Sequence, residues 1–160
     1  MARSHYWHTC RVVDIRRSRT IAAEPQAIWD TPADFGAISS WVDFIDHSCL
    51  LSPTADGIAV GTTRRVQVGP NTLVERITEF DGPRALAYDV EGFPRWLGRV
   101  NNRWTLAPSA GATVVTLTGT LEIGSRPPQR LAERIVAHVS AKQLDALLAG
   151  LTYRLEGTRA

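Results

Sequence analysis

The last long segment of this 160-residue chain constrains its fold more than any other feature. After Pro127-Pro128, the residues Leu131, Ile135, Val139, Leu144, Leu147, Leu148, Leu151 and Leu155 recur at three- and four-residue steps. That period marks an amphipathic helix with one apolar stripe, here spanning about residues 128–156. Such a stripe needs a broad apolar surface to cover it. The chain upstream supplies one. From His47 to Ile123, Gly and Pro recur at Pro53, Gly57, Gly61, Gly69-Pro70, Gly82-Pro83, Gly92-Phe93-Pro94, Pro108 and Gly111, the punctuation of an antiparallel meander. The middle of the helix carries Ala137, Ser140 and Ala141, whose small side chains leave room between helix and sheet.

Ahead of the meander, residues 11–22 read as a first strand. Pro25, after Glu24, suits the first turn of a helix that runs to about Asp30 and is ended by Pro32. Asp34 is placed to cap a second short helix, Phe35 to Ser40. Trp29, Phe35, Ile38 and Trp41 give this pair an apolar side, and the first three are expected to pack. The order is one strand, two short helices, six strands and one long helix. A sheet with its helices segregated to one side is an α+β architecture.

Composition sets the class. The chain is 44% hydrophobic and 21% charged, as a globular domain is. One domain over residues 11–157 is expected, with residues 1–10 a loosely ordered leader. A net charge of +2, from 18 basic and 16 acidic residues, is too balanced for a nucleic-acid footprint. Arg11, Arg16, Arg17 and Arg19 scatter over both faces of a strand, which predicts a solvated surface. Cys10 and Cys49 make neither a disulfide framework nor a zinc spacing, and read as reduced thiols of a cytoplasmic protein. His5, His8 and Cys10 lack a second ligand cluster, so no metal site is expected. The N-terminus has no apolar signal region, and no segment approaches the ~20 apolar residues of a membrane span.

Turn positions give the register. A hairpin centred on Gly69-Pro70 pairs Val68 with Asn71, Val66 with Leu73 and Arg64 with Glu75. Side chains alternate faces along a strand, and Val66 and Val68 mark the interior face. Arg64 and Glu75 therefore point inward, directly opposite each other. A turn at Gly82-Pro83 pairs Phe80 with Ala85, Ile77 with Tyr88 and Glu75 with Val90. Tyr88 becomes a diagonal neighbour of Glu75, about 7–8 Å away at the backbone. A third hairpin, centred near Ser109-Ala110, pairs Trp104 with Val115 and Asn102 with Leu117, and turns Val100, Asn102, Trp104 and Leu106 inward. A buried unpaired charge costs several kcal/mol, roughly, and a buried pair is weak evidence for stability. Pocket chemistry would explain why the interior keeps Arg64, Glu75, Tyr88 and Asn102.

The residues of this interior carry a resemblance. Thr20 to Pro25, Ile28-Trp29-Asp30, Asp34-Phe35 and Trp41 resemble the N-terminal signature of the polyketide cyclase/dehydrase branch of the SRPBCC, or START-like, superfamily. The stretches Val74 to Tyr88, Arg103 to Leu106 and Gly111 to Val115 do so too. The resemblance implies a helix-grip fold: a curved antiparallel sheet of about seven strands around a long C-terminal helix, with two short helices after strand 1. A plant branch that includes lachrymatory factor synthase is also similar. Its catalytic arginine and glutamate lie in stretches that resemble Thr63-Arg64-Arg65-Val66 and Val74-Glu75-Arg76-Ile77. The chain also resembles birch-pollen-allergen-like proteins, which implies the same fold.

Two functions follow as expectations. In the first, the chain binds a small hydrophobic or polyketide-like molecule and catalyses cyclisation, dehydration or isomerisation without a cofactor. Glu75 shuttles the proton, Arg64 stabilises the oxyanion, and Tyr88 and Asn102 orient the substrate. In the second, the chain is a non-catalytic carrier of lipids or hydrophobic metabolites, and the Arg64–Glu75 pair is a polar anchor. For either, the expected lining is Trp41, Val66, Leu73, Ile77, Tyr88, Asn102, Trp104, Ala137 and Ala141, with Trp41, Phe44 and His47 at the mouth. The expected partner is that small ligand, with no nucleic acid and no integral membrane association. The protein is expected to be a monomer or a homodimer.

Overall fold

The structure, a computed structural model, describes residues 11–52, 55–124 and 129–157; within 129–139 only the side chain of Val136 is described. The predicted leader with its His5, His8 and Cys10, together with Pro53, Pro127 and Pro128, lies outside the described residues. So do the side chains of Leu131, Ile135, Ala137 and Val139.

Strand β1 (Arg11–Ile21) leads into helix α1 (Pro25–Ala33) and a 3₁₀ turn (Phe35–Ser40). Six strands follow: β2 (His47–Ser52), β3 (Thr63–Val68), β4 (Asn71–Asp81), β5 (Ala85–Glu91), β6 (Leu97–Ser109) and β7 (Ala112–Ile123). Helix α2 (Gln129–Gly157) ends the chain. The seven strands form one antiparallel sheet in the order β1-β7-β6-β5-β4-β3-β2. This is the helix-grip α+β arrangement.

Two local expectations change. Pro32 does not end α1; it sits inside the last turn. A proline φ is already helical, and so near the end only one backbone bond is lost. Asp34 occupies the cap position of the 3₁₀ turn, but its side chain makes no capping hydrogen bond.

The β3–β4 register is the expected one, with Arg64 opposite Glu75, Val66 opposite Leu73 and Val68 opposite Asn71. The other two hairpins differ in part. Glu75 faces Val90 and Ile77 faces Tyr88, but a shift between Ile77 and Glu79 then sets Phe80 opposite Leu86 rather than Ala85. One extra residue on β4 makes a bulge there. The β6–β7 turn is Ala110-Gly111, whose φ angles of 46° and 79° are both positive, as a tight two-residue hairpin turn requires. Trp104 therefore pairs with Leu117, and Asn102 with Gly119, each two residues along from the expected partner. A slip of two preserves the face, so Val100, Trp104 and Leu106 are buried as expected.

The core lies between sheet and α2. Leu144, Leu147, Leu148 and Leu151 of the helix are all buried. Burial of each such side chain stabilises by roughly 1.5–3 kcal/mol. A close backbone contact sets where the helix lands: a methyl group on Gly150 would lie 2.2 Å from the Trp41 carbonyl oxygen. The β1 arginines fall on both faces as expected, Arg16 opposite to the others. Arg17 and Arg19 share the face toward α2, where Arg17 meets Asp145 at 3.1 Å and Arg19 donates to Thr152 Oγ1 at 3.3 Å. Among the described residues no helix is long and apolar enough to cross a membrane.

Candidate functional site

Space remains between α2 and the sheet. A pocket of about 390 Å³ opens there, within the range of small-molecule sites, roughly 300–1,000 Å³. Its walls are mostly apolar side chains from β3 to β7. Val136, Ser140, Gln143, Leu144 and Leu147 of α2 form the facing wall. Those helix positions are spaced by three and four, so a single face of α2 looks onto the pocket.

Polar groups gather at one place in this lining. Glu75 and Tyr88 both line the pocket, and Asn102 lines it beside Gly119. Behind Glu75 sits Arg64, 2% exposed and outside the lining. Its Nε and Nη2 both donate to Glu75 Oε2, each at 2.5 Å, and its Nη1 donates to the Phe35 carbonyl at 2.7 Å. The guanidinium is held between two rings, 3.9 Å from the Phe35 centroid and 4.9 Å from that of Tyr88. Each of its three nitrogens thus has an acceptor and both faces of the plane meet a ring, which compensates the buried charge. Glu75 Oε1 has no protein donor among the described residues.

Tyr88 is fully packed at its ring. Burial holds its hydroxyl above the usual tyrosine pKa, and the Glu75 charge adds to this. The Arg64 charge and hydrogen bonds from Trp104 and Asn102 oppose the rise without cancelling it. Tyr88 therefore stays a neutral donor throughout the physiological range.

The expected lining residues fall into two groups. Phe44, Val66, Leu73, Tyr88 and Asn102 line the pocket together with Glu75. Ile77 and Trp104 point inward but are covered by their neighbours, each 1% exposed. Trp41 is buried too, edge-on to Trp104 with ring centroids 6.2 Å apart. His47 begins β2 on an exposed position away from the lining. Ala141 lies one residue off the helix face that Ser140 presents. Of the three residues expected to pack, all are buried; Phe35 also holds Arg64, and Ile38 alone of them touches the pocket.

Sequence reasoning missed the mouth. Phe93 and Trp96, in the β5–β6 loop, line the pocket with one side while remaining 38% and 40% exposed. Two large aromatics flanking Pro94 in a loop were the available signal. It missed Gly119 as well, because a glycine within a strand carries no pattern.

The family model described as "Polyketide cyclase / dehydrase and lipid transport" matches residues 12–156. No curated protein sequence matches. Among solved structures, the Zhui aromatase/cyclase from Streptomyces sp. R1128 superposes with a TM-score of 0.76 at 17% identity, over 91% of this chain and 94% of that one. Norcoclaurine synthase from Thalictrum flavum gives 0.76 at 13% identity, over 95% and 99%. A START superfamily protein from Mycobacterium smegmatis gives 0.69 at 16% identity, over 91% and 98%. Identities this low speak for the shared fold alone.

Proposed function

This chain belongs to the polyketide cyclase/dehydrase and lipid-transport family, and from that premise we propose that its pocket binds a small hydrophobic, polyketide-like molecule on which Glu75 performs acid–base chemistry. The reaction class is cofactor-independent cyclisation, dehydration or isomerisation. The observation that carries the reading is a carboxylate brought to the wall of an apolar pocket with one oxygen anchored and the other open.

Each residue has a distinct part. Glu75 takes a proton from a carbon next to a bound carbonyl and returns it to the departing or newly formed oxygen. Tyr88, a neutral donor at the same wall, offers its O–H to the charge that develops on the carbonyl oxygen. Arg64 acts through Glu75. Buried outside the pocket lining, it is a positioning residue and not an oxyanion binder. Phe44, Val66, Leu73, Phe93 and Trp96 supply the apolar grip.

The test is Glu75→Gln. The amide still accepts a bond from Arg64 but no longer balances its buried charge, so a stability loss of up to about 3–5 kcal/mol is expected and turnover is read on folded protein well below the variant's melting temperature. Turnover of aromatic polyketide-like ketones should vanish. A folded variant that turns substrate over at the wild-type rate would refute the acid–base role. A wild type that binds these compounds stoichiometrically without converting them would establish the carrier function instead, with Glu75 as its polar anchor.

A further inference from the structure

Gly119 interrupts a row of large residues. The inward positions of β7 are Thr113, Val115, Leu117, Gly119, Leu121 and Ile123. Its φ is not positive, so the backbone does not require glycine there. A glycine inside a strand weakens it and often marks a place where another group must come close. What it leaves open is well defined. A methyl group at this position would lie 3.3 Å from Leu144 Cδ1 and 3.4 Å from Asn102 Oδ1. Gly119 and Asn102 are register partners, and both line the pocket.

Trp104 Nε1 donates to the Tyr88 oxygen at 3.5 Å. Asn102 Oδ1 lies over the bare backbone of Gly119. No protein donor reaches this oxygen among the described residues.

We propose that Asn102 and Gly119 form a hydroxyl-recognition subsite, in which an O–H of the ligand donates to Asn102 Oδ1 in the space left by the missing side chain. The ligand class is a neutral phenol or alcohol on an apolar skeleton. An ether or a carboxylate has no proton to give there. The inference rests on the ligand-binding reading of the pocket and adds the orientation of the bound molecule.

Naphthol and its methyl ether separate the two ideas, because they share a skeleton and differ in the donor. Calorimetric titration of the full chain should show naphthol binding roughly three- to tenfold more tightly, the worth of one neutral hydrogen bond. Asn102→Leu should level the two affinities by weakening naphthol alone, with Asn102→Ala as a second variant in case the first folds poorly. Gly119→Ala should keep or raise the melting temperature while weakening both ligands, since Leu144 and Asn102 are pushed into the space. Equal binding of both compounds by the wild type, or a preference that survives Asn102→Leu and Asn102→Ala, overturns the subsite and leaves the pocket reading standing. Failure of the folded wild type to bind either compound overturns both.

Discussion

Two arginine–glutamate pairs tie strands of this sheet together, one on each face. Arg64–Glu75 joins β3 to β4 on the inner face, with side chains 2% and 9% exposed. Arg103–Glu79 reaches from β6 to β4 on the outer face, with side chains 46% and 37% exposed. The outer pair has the better fork geometry, with two separate bonds of 2.7 and 3.0 Å. It spans Ala87, whose small side chain lets the two long ones meet. Water solvates both of its partners, so little is lost when it opens. The inner pair has no such alternative, because nothing but the Phe35 carbonyl and two rings stands in for water around Arg64. Identical chemistry therefore serves different ends. The outer pair is a surface contact, and the inner pair holds a carboxylate at a pocket that apolar residues would otherwise close.

The largest expected effect is from Arg64→Ala. It leaves Glu75 buried without its counter-charge, and chemical denaturation should show a loss of about 3–5 kcal/mol. Replacing both members, Arg64→Met with Glu75→Leu, should restore most of that stability, since buried pairs are often replaced by apolar residues at no net loss. The same double variant should bind no ligand through its polar end. Recovery of stability together with full ligand affinity would erase the distinction between the pairs.

A smaller effect comes from Tyr88, whose hydroxyl pKa is raised chiefly by burial. A group with a raised pKa contributes stability that is complete below its unfolded value, about 10, and is lost as pH rises through the folded one. Alkaline melts should therefore fall above about pH 10, and Tyr88→Phe should flatten that fall. An unchanged alkaline profile in the variant would show that Tyr88 is not the group responsible. The smallest effect belongs to Arg103→Ala, at about 0.2–1 kcal/mol and diminishing as salt is added. The Arg103 hydrogen bond holds the Glu79 pKa below its ordinary value. The outer pair's contribution should thus be present above about pH 4.3 and fade as pH falls through the lowered value. A loss as large as that of Arg64→Ala would remove the contrast on which the functional reading of Glu75 leans.

The meeting of Arg64 with Glu75 was legible in the sequence because it depends on local quantities. Gly69-Pro70 sets the turn, equal offsets on either side set the partners, and strand alternation sets the face. The β6–β7 register was misjudged by two residues, yet the inward set came out unchanged, since the face repeats with the same period as the error. Depth was much less legible. Ile77, Trp104 and Trp41 face inward and are buried, but other side chains stand between them and the pocket.

Element order, strand faces and the pairing of Arg64 with Glu75 follow from the sequence by itself, because each rests on turn chemistry and on periods of two or of three and four residues. Tertiary structure alone decided three other things. It put Arg64 behind Glu75 and not beside it, because the Phe35 carbonyl and ring approach from a distant segment. It turned Ser140 rather than Ala141 toward the pocket, because the Gly150 contact with Trp41 and the Arg17–Asp145 pair fix how α2 is rotated. And it brought the β5–β6 loop over the opening, with Phe93 and Trp96 at the lip. A strand records which way a side chain points. How far that side chain stands from the opposing helix is a property of three or more elements at once, and no local pattern encodes it.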